Sequence, residues 1–129
     1  NDNILYAYFG RSEKFVMPEG IGVARGELFS CAPHVVEVVL PSTLVMIFSR
    51  AFYNCKKIQK IIIPKNVNSL GSEVFKNCKS LTEAIFENGE TKLDNCCFKG
   101  CPEMLVIKAP AGGYVEEYAK KYNIKFEAI

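Results

Sequence analysis

Apolar residues recur along this chain with a fixed period of 23 residues. The clearest series is Phe29, Phe52, Phe75 and Phe98, and Tyr6 continues it by one step toward the N-terminus. A period between about 20 and 50 residues is typical of a solenoid, in which one unit cannot bury its own apolar face without its neighbours. The pattern therefore predicts a stack of similar coils, in which residues 23 apart occupy equivalent positions.

Further apolar series with the same period predict the buried side of each coil. Their members are Phe9, Ala32, Cys55, Cys78 and Cys101; Val35, Ile58, Leu81 and Met104; Phe15, Val38, Ile61, Ala84 and Ile107; and Met17, Leu40, Ile63, Phe86 and Ala109. A proline follows the last series at Pro18, Pro41, Pro64 and Pro110, and Glu87 is the exception. Because proline cannot donate to a β ladder, each coil is predicted to carry one short strand that ends there.

A second inward side precedes each phenylalanine, and the period then stops after Pro110. The second side consists of Ile21, Leu44 and Val67, and of Ala24, Ile47, Leu70 and Leu93. After two glycines, Tyr114, Tyr118 and Tyr122 follow at helical spacing, before a short apolar strand at 124–126. The sequence therefore predicts one domain, 1–129, with repeats over about 5–110 and a helix-plus-strand cap over 111–129, since a solenoid needs a cap over its last apolar coil.

Composition excludes several classes of function. The 129 residues are 49% hydrophobic and carry a formal charge of +2, without a long basic run, so a nucleic-acid partner is not expected. No stretch approaches the roughly 20 apolar residues of a membrane span, and Asn1, Asp2 and Asn3 do not resemble a signal peptide. The chain is expected to be soluble, without membrane insertion, and to be either a mature form or a fragment.

The cysteines and the one histidine give no chemical signature. Cys55, Cys78 and Cys101 share an inward series, so they are predicted to be buried free thiols. Cys31 and Cys96 align with polar residues, so they are predicted to be the exposed thiols, of unassigned redox state. The spacings lack the C-x-x-C pairs of a zinc site, and His34 falls at a variable polar turn position. No catalytic, metal or cofactor site is therefore predicted, and the chain is not expected to be an enzyme.

Strand alternation predicts an open face beside the buried series. Its residues fall in two outward series, an apolar one, Val16, Val39, Ile62 and Ile85, and a charged one, Lys14, Glu37, Lys60 and Glu83. The apolar line is the candidate partner surface, although β-branched residues also simply fit a pleated sheet. The alternating charges favour a structural role, in which opposite signs attract between coils.

A second apolar patch is predicted on the outer turn of one repeat. It comprises Val45, Met46, Phe48 and Tyr53, which align with Asn, Ser, Gly and Lys one repeat later. Such a local excess of apolar residues indicates either a contact with another chain or missing segment, or tolerated exposure.

The repeat resembles a known family. The run Phe52-x-x-Cys55-x-x-Ile58-x-x-Ile61-x-Ile63-Pro64-x-x-Val67-x-x-Leu70 is similar to the BspA-like leucine-rich repeat, and so is the ending from Ala109 through Tyr118 to Phe126. The resemblance implies a solenoid with short parallel strands on one face and turns or short irregular segments on the other. It also implies a bacterial surface or secreted protein with a role in adhesion or in another protein-binding task. Glu87 and the glycines between 22 and 26 depart from the pattern and are expected to loosen it locally.

These observations favour a non-catalytic, adhesin-like interaction module. It would present its open parallel sheet to a protein or glycan ligand at the cell surface or in secreted form. The alternative is a structural spacer, or a fragment of a longer surface-displayed repeat array. Because the N-terminal coil has no recognisable cap, self-association through its uncovered edge is also expected.

Overall fold

The computed structural model describes residues 3–29 and 32–129, in which short strands alternate with turns and one helix follows near the end. Its elements are β1 Asn3–Leu5, β2 Lys14–Val16, β3 Ile21–Ala24, β4 Glu37–Val39, β5 Met46–Ile47, β6 Lys60–Ile63, β7 Ser69–Leu70, β8 Glu83–Phe86, β9 Lys92–Leu93, β10 Val106–Ala109, α1 Tyr114–Lys121 and β11 Lys125–Ala128. The predicted leucine-rich-repeat solenoid with a helix-plus-strand cap is confirmed.

Each coil contributes two strands, not the single strand expected from the prolines. The front strands β2, β4, β6, β8 and β10 end one or two residues before the proline position, and the back strands β1, β3, β5, β7 and β9 form one parallel sheet. All five back strands are two to four residues long, and β5, β7 and β9 have only two residues each, which is too short for alternation to reveal them in the sequence. Among the described strands, β1 and β2 each pair with one neighbour, so self-association at this edge stays a prediction.

A column of stacked phenylalanines runs through the core. Phe29, Phe52, Phe75 and Phe98 lie with successive ring centroids 5.2, 5.2 and 5.3 Å apart. These separations fall within the range of favourable offset aromatic contacts. All four rings are buried, as the 23-residue series predicts, and they join consecutive coils into one continuous core.

The first coil is shorter than the others, since Leu5 pairs with Ala24, 19 residues later, whereas Ala24 pairs with Ile47, 23 residues later. This difference makes two predictions wrong. Tyr6 and Phe9 are exposed, at 63% and 73% of their surface. Tyr8 takes the place in the column instead: its ring lies 5.8 Å from that of Phe29, and its N–H donates to the Leu28 carbonyl at 2.9 Å. Counting back by 23 from Phe29 assumes a constant coil length, so it selects Tyr6 and misses Tyr8.

A similar slip occurs in the last coil. Met104 was expected to be buried but is 71% exposed, while Leu105 is buried in its place. The Leu105 N–H donates to the Pro102 carbonyl at 3.1 Å, as the Leu81 N–H donates to the Cys78 carbonyl at 3.2 Å. The turn is therefore one residue longer and the link to β10 one residue shorter, so the strand itself remains in register.

Glu87 tightens the third repeat, contrary to expectation. Unlike proline, it has an N–H, which donates to the Ile63 carbonyl at 3.0 Å. Its carboxylate accepts the Lys65 N–H at 3.1 Å. The pairing of β6 with β8 consequently extends to Ile63 and Phe86, one residue further than that of β8 with β10.

The C-terminal cap covers the last coil. Val115, Tyr118 and Ala119 on one side of α1 are buried against the core, and β11 pairs in parallel with β10. The outer side of this helix is polar, and Lys120 and Glu116 form an ion pair of 2.8 Å there. In the described part of the chain, no helix has the length and apolar character needed to cross a membrane.

Candidate functional site

The front face consists of the eight outward side chains predicted as a partner surface: Val16, Val39, Ile62, Ile85, Lys14, Glu37, Lys60 and Glu83. They lie on β2, β4, β6 and β8, where buried and outward residues alternate. Val16, Val39 and Ile62 are 56%, 41% and 44% exposed, and Ile85 is half-buried. The apolar line is therefore accessible over three coils, and its use by a partner stays a prediction.

Ion pairs flank the apolar line, as the charge alternation predicts. Lys14 lies 3.7 Å from Glu37, and Lys60 lies 4.0 Å from Glu83. Lys108 on β10 lies closer to Glu83, at 2.8 Å. The Glu83 carboxylate is thus paired with one lysine from the preceding coil and one from the following coil. This arrangement favours a structural role for the charged outward series.

Glu83 is expected to make the stability of this end of the solenoid depend on pH. The hydrogen bond from Lys108 lowers the pKa of Glu83 below its ordinary value of 4.5, so the folded state favours the ionised form. The resulting stabilisation is present above the unfolded pKa and is lost as the pH falls through the lower, folded pKa. The free energy of unfolding, measured with urea between pH 6 and pH 3, should therefore decrease less steeply as the pH falls for Glu83→Gln than for the wild type.

The matched control for that experiment is Glu37→Gln. The ion pair of Glu37 with Lys14 is longer, at 3.7 Å, and more exposed. This substitution should therefore leave the pH dependence of the free energy of unfolding almost unchanged. The same pH dependence of the free energy of unfolding for the wild type and Glu83→Gln would contradict the assigned role of the Lys108 contact.

The front ladder is interrupted between β4 and β6. The Met17 N–H donates to the Val39 carbonyl at 2.9 Å, but within residues 32–129 the equivalent bond from Leu40 to Ile62, one coil later, is not formed. The front strands accordingly divide into a β2–β4 pair and a β6–β8–β10 group that continues into β11. This break leaves backbone groups of two central strands without ladder partners.

A cleft of about 550 Å³, the front cleft, lies at this break. It is lined by Val36, Glu37, Val38, Val39, Leu40, Ser42, Gln59, Lys60, Ile62, Pro64, Lys65, Asn66 and Glu87. Asn66 closes one end, where its side-chain amide donates to the Ser42 carbonyl at 3.0 Å. The volume is within the range of about 300–1,000 Å³ that is usual for binding sites.

The front cleft groups half of the predicted front-face residues. Val39 and Ile62 lie on its two sides with Glu37 and Lys60, whereas Val16 lies on the outer strand β2. Sequence reasoning missed Gln59, Ser42 and Asn66 and the other polar residues of the lining. They stand at variable turn positions, and no signal in the period indicates a break in the ladder.

The secondary apolar patch lies on the back side of the same coils. Val45, Met46 and Phe48 are partly exposed, at 39%, 37% and 37%, while Tyr53 is half-buried. The guanidinium carbon of Arg25 lies 6.0 Å from the centre of the Phe48 ring, so a cation–π contact covers part of the patch. The patch is separated from the front cleft by the core, and its role stays a prediction.

The cysteines follow the prediction for the inward series, with one exception. Cys55, Cys78, Cys96, Cys97 and Cys101 are free thiols, and three of them, Cys55, Cys78 and Cys97, are buried. Cys101, also expected to be buried, lies in the last coil and is partly exposed. Cys96 is partly exposed, as expected, and Cys31 lies outside the described residues.

Burial makes the inward thiols unreactive. It raises the pKa of Cys55 and of Cys97 to about 12 and that of Cys101 to about 11, and it raises the pKa of Cys78 as well. Since the thiolate is the nucleophile and the metal ligand, these thiols are protonated and inert at neutral pH. Cys55, Cys78 and Cys97 are small core residues, and the Cys78 thiol also donates to the Phe52 carbonyl at 3.1 Å.

The histidine has a structural contact. His34 Nε2 lies 2.9 Å from the Gly10 carbonyl oxygen and donates to it, which ties the irregular first coil to the second. In the described residues, no group of three or more His, Cys, Asp or Glu side chains is arranged to hold a metal ion.

Comparisons with known proteins agree with this architecture. The BspA type leucine rich repeat region matches residues 3–125 in six copies. A leucine-rich repeat protein of T. pallidum superposes with a TM-score of 0.70 at 19% identity, over 81% of this chain and 62% of that one. No match was found among curated proteins.

Two further bacterial structures share the fold. A leucine-rich repeat protein from Eubacterium ventriosum has a TM-score of 0.69 at 27% identity, over 84% of this chain and 29% of that one. The pneumococcal vaccine antigen PcpA has a TM-score of 0.65 at 17% identity, over 90% of this chain and 35% of that one. The chain thus spans less than two thirds of each of the three structures. With the repeat model matched over residues 3–125, this chain belongs to the BspA-type leucine-rich repeat family.

Proposed function

We propose that this chain is a non-catalytic interaction module that binds a partner protein through the front face, centred on the front cleft. The observation that carries the proposal is the coincidence of an exposed apolar pair, Val39 and Ile62, with a cleft at the break between β4 and β6. An apolar centre rimmed by the charged residues Glu37 and Lys60 has the layout of a protein-binding patch.

The rigidity of the surrounding solenoid supports this role. The side chains beneath the front face, Val38 and Ile61, are buried in the continuous core. A surface held in this way loses little conformational freedom on binding, so less of the interaction free energy is spent on ordering it.

Adhesion at a bacterial cell surface is the setting we propose. Family membership supports it, as does the likeness in fold to a pneumococcal vaccine antigen. The chain would act as one segment of an adhesin that contacts a protein, or a glycan, on the opposing surface.

Replacing Ile62 with lysine is expected to weaken partner binding at least about tenfold, equivalent to about 1.4 kcal/mol. The substitution places a charge at the apolar centre of the cleft, where a partner would have to desolvate it. The fold should tolerate it, because Lys108 occupies the equivalent outward position two coils later. Binding is measured by capture from an epithelial-cell surface extract, with quantification by mass spectrometry, and glycosidase treatment of the extract separates glycan from protein recognition.

The matched control is Met46→Lys on the back side. Lys92 occupies its equivalent position two coils later, so the two variants carry the same change on opposite surfaces. Loss of binding only with Met46→Lys would assign recognition to the secondary apolar patch. If both variants retain every partner, the front-face proposal is wrong and the spacer alternative gains support.

A further inference from the structure

The back sheet carries a groove along β7, here called the back groove. Its floor is formed by Ser69 and Gly71, whose side chains are smaller than those of the equivalent residues in the two neighbouring coils. These equivalents are Met46 and Phe48 at β5, and Lys92 and Asp94 at β9. The groove follows from this difference in side-chain size, and its volume is about 770 Å³.

The chain itself cannot fill the groove at position 71. A Cβ atom there would lie 2.5 Å from the backbone nitrogen of Ser49, so any side chain would overlap with the main chain of the preceding coil. Since neighbouring coils are about 4.8 Å apart, Phe48 and Asp94 are separated by about 9.6 Å along the solenoid. Between them is a place, one side chain thick, that only a group from another molecule can occupy.

The wall of the groove on the β5 side presents an aromatic ring. Phe48 is 37% exposed. On its β3 side, the guanidinium carbon of Arg25 lies 6.0 Å from the centre of this ring and 5.3 Å from the centre of the Tyr6 ring. Among the described residues, no second cation lies over Phe48. The fold therefore holds one guanidinium against the Phe48 ring from the β3 side, and the place above Gly71 is its counterpart on the β7 side.

The wall on the β9 side presents a carboxylate. Asp94 is exposed, and its carboxylate accepts the Asn95 N–H at 2.7 Å. It forms no ion pair within the part of the chain that the structure describes. The neighbouring cation, Lys92, places its Nζ atom 5.3 Å from the centre of the Tyr114 ring in the cap. The groove thus combines an accessible ring with a carboxylate that lacks a cationic partner.

We propose that the back groove binds an arginine side chain of a partner protein, at a site separate from the front face. The guanidinium would lie between Phe48 and Asp94, with its flat face against the ring and its charge close to the carboxylate. Arg25 shows the same kind of contact within the chain, because its guanidinium lies near two aromatic rings one coil before β5.

The groove disfavours other classes of side chain. An apolar group placed there would desolvate the Asp94 carboxylate without pairing it, and an anion would be repelled by Asp94 and by Glu27, which also lines the groove. A lysine ammonium is compact and strongly hydrated, whereas a guanidinium is planar and more weakly hydrated. A place that is one side chain thick, beside an aromatic ring, therefore favours arginine over lysine.

The proposal is tested by NMR titration with the blocked tripeptide acetyl-Gly-Arg-Gly-amide. Binding should move the amide signals of Gly71 and Asp94, and the ring of Phe48 should shift the δ-methylene protons of the probe upfield. The matched probes carry citrulline, which is neutral and of nearly the same shape, or lysine in place of arginine. The citrulline probe should bind at least fivefold more weakly than the arginine probe, and the lysine probe should also bind more weakly.

Phe48→Leu and Asp94→Asn should each weaken binding of the arginine probe at least threefold. The first removes the ring but keeps an apolar side chain, and the second removes the charge but keeps the shape. Phe9→Leu and Glu103→Gln are the matched controls, since they make the same kinds of change at exposed positions outside the groove, and they should leave the affinity unchanged. Asp94→Asn alters only an exposed side chain, so it remains a valid test if Phe48→Leu perturbs the sheet.

Several results would overturn the proposal. They are a titration in which the Gly71 and Asp94 signals do not move, a citrulline or lysine probe that binds as tightly as the arginine probe, and full affinity in Asp94→Asn. The front-face variant Ile62→Lys should bind the arginine probe as the wild type does. Failure at the back groove is therefore distinguishable from failure of the proposed front-face function.

Discussion

Replacing Phe75 with alanine should lower the free energy of unfolding by about 3–5 kcal/mol, the usual cost of removing a fully buried phenyl ring. Phe75 is 0% exposed. Its ring lies between those of Phe52 and Phe98 at 5.2 and 5.3 Å, nearly parallel to both. The loss combines the transfer of apolar surface with a cavity at the centre of the column, which the stacked coils cannot close without shifting against each other.

The control for this prediction is Phe9→Ala. Phe9 is 73% exposed, so its loss should change the free energy of unfolding by less than about 0.5 kcal/mol. Both variants are compared with the wild type by urea unfolding, followed by circular dichroism. A loss at Phe9 as large as that at Phe75 would contradict the shortening of the first coil, and it would restore Phe9 to the core.

The period predicts the content of the core because equivalent positions meet the same surroundings in every coil. Phe52 and Phe75 pack alike for this reason, and so do Ile61 and Ala84 on the front strands. The cap is also readable, since Val115, Tyr118 and Ala119 share one side of a helix. In both cases the spacing of the apolar side chains matches the period of the backbone, which is 23 residues for the coils and that of an α-helix for the cap.

Prediction fails where the turns within a coil change their length. Tyr8, which is partly buried, and Leu105, which is buried, pack against the core at the two ends, in place of Tyr6 and Met104. A count by 23 cannot locate an insertion or a deletion within a turn, because the apolar residues beside it satisfy the pattern equally well. The terminal coils, which have a neighbour on one side only, are where such changes are tolerated.

The candidate site was predictable in part. The outward direction of Val39 and Ile62 follows from strand alternation, but the cleft between them does not. It depends on hydrogen bonds that are absent between β4 and β6, and the side chains on both strands are of the same type as those on the paired strands. A break in backbone pairing that leaves the side-chain pattern unchanged gives no sequence signal.

Replacing Gly113 with alanine should destabilise the protein by about 1–3 kcal/mol, the cost of overpacking a close contact. A Cβ atom at position 113 would lie 2.4 Å from the Gly89 carbonyl oxygen, and this oxygen accepts the Val115 N–H that holds the start of α1. The backbone at Gly113, with φ of −105°, suits any residue, so the cost arises from the contact alone. Relief of the clash requires α1 to move away from the last coil.

Gly22→Ala separates this clash from the general effect of replacing glycine. A Cβ atom at position 22 meets nothing closer than the Asn3 carbonyl oxygen at 3.9 Å, so this variant should be neutral or more stable by up to about 1 kcal/mol, because alanine restricts the unfolded chain. Urea unfolding measures the change in the free energy of unfolding for both variants, and amide hydrogen exchange shows which part of the chain is affected. In Gly113→Ala, faster exchange should be confined to α1, β11 and the last coil, because each coil of a solenoid is stabilised mainly by its neighbours. Uniformly faster exchange along the chain would show that the cap stabilises the whole stack as one cooperative unit.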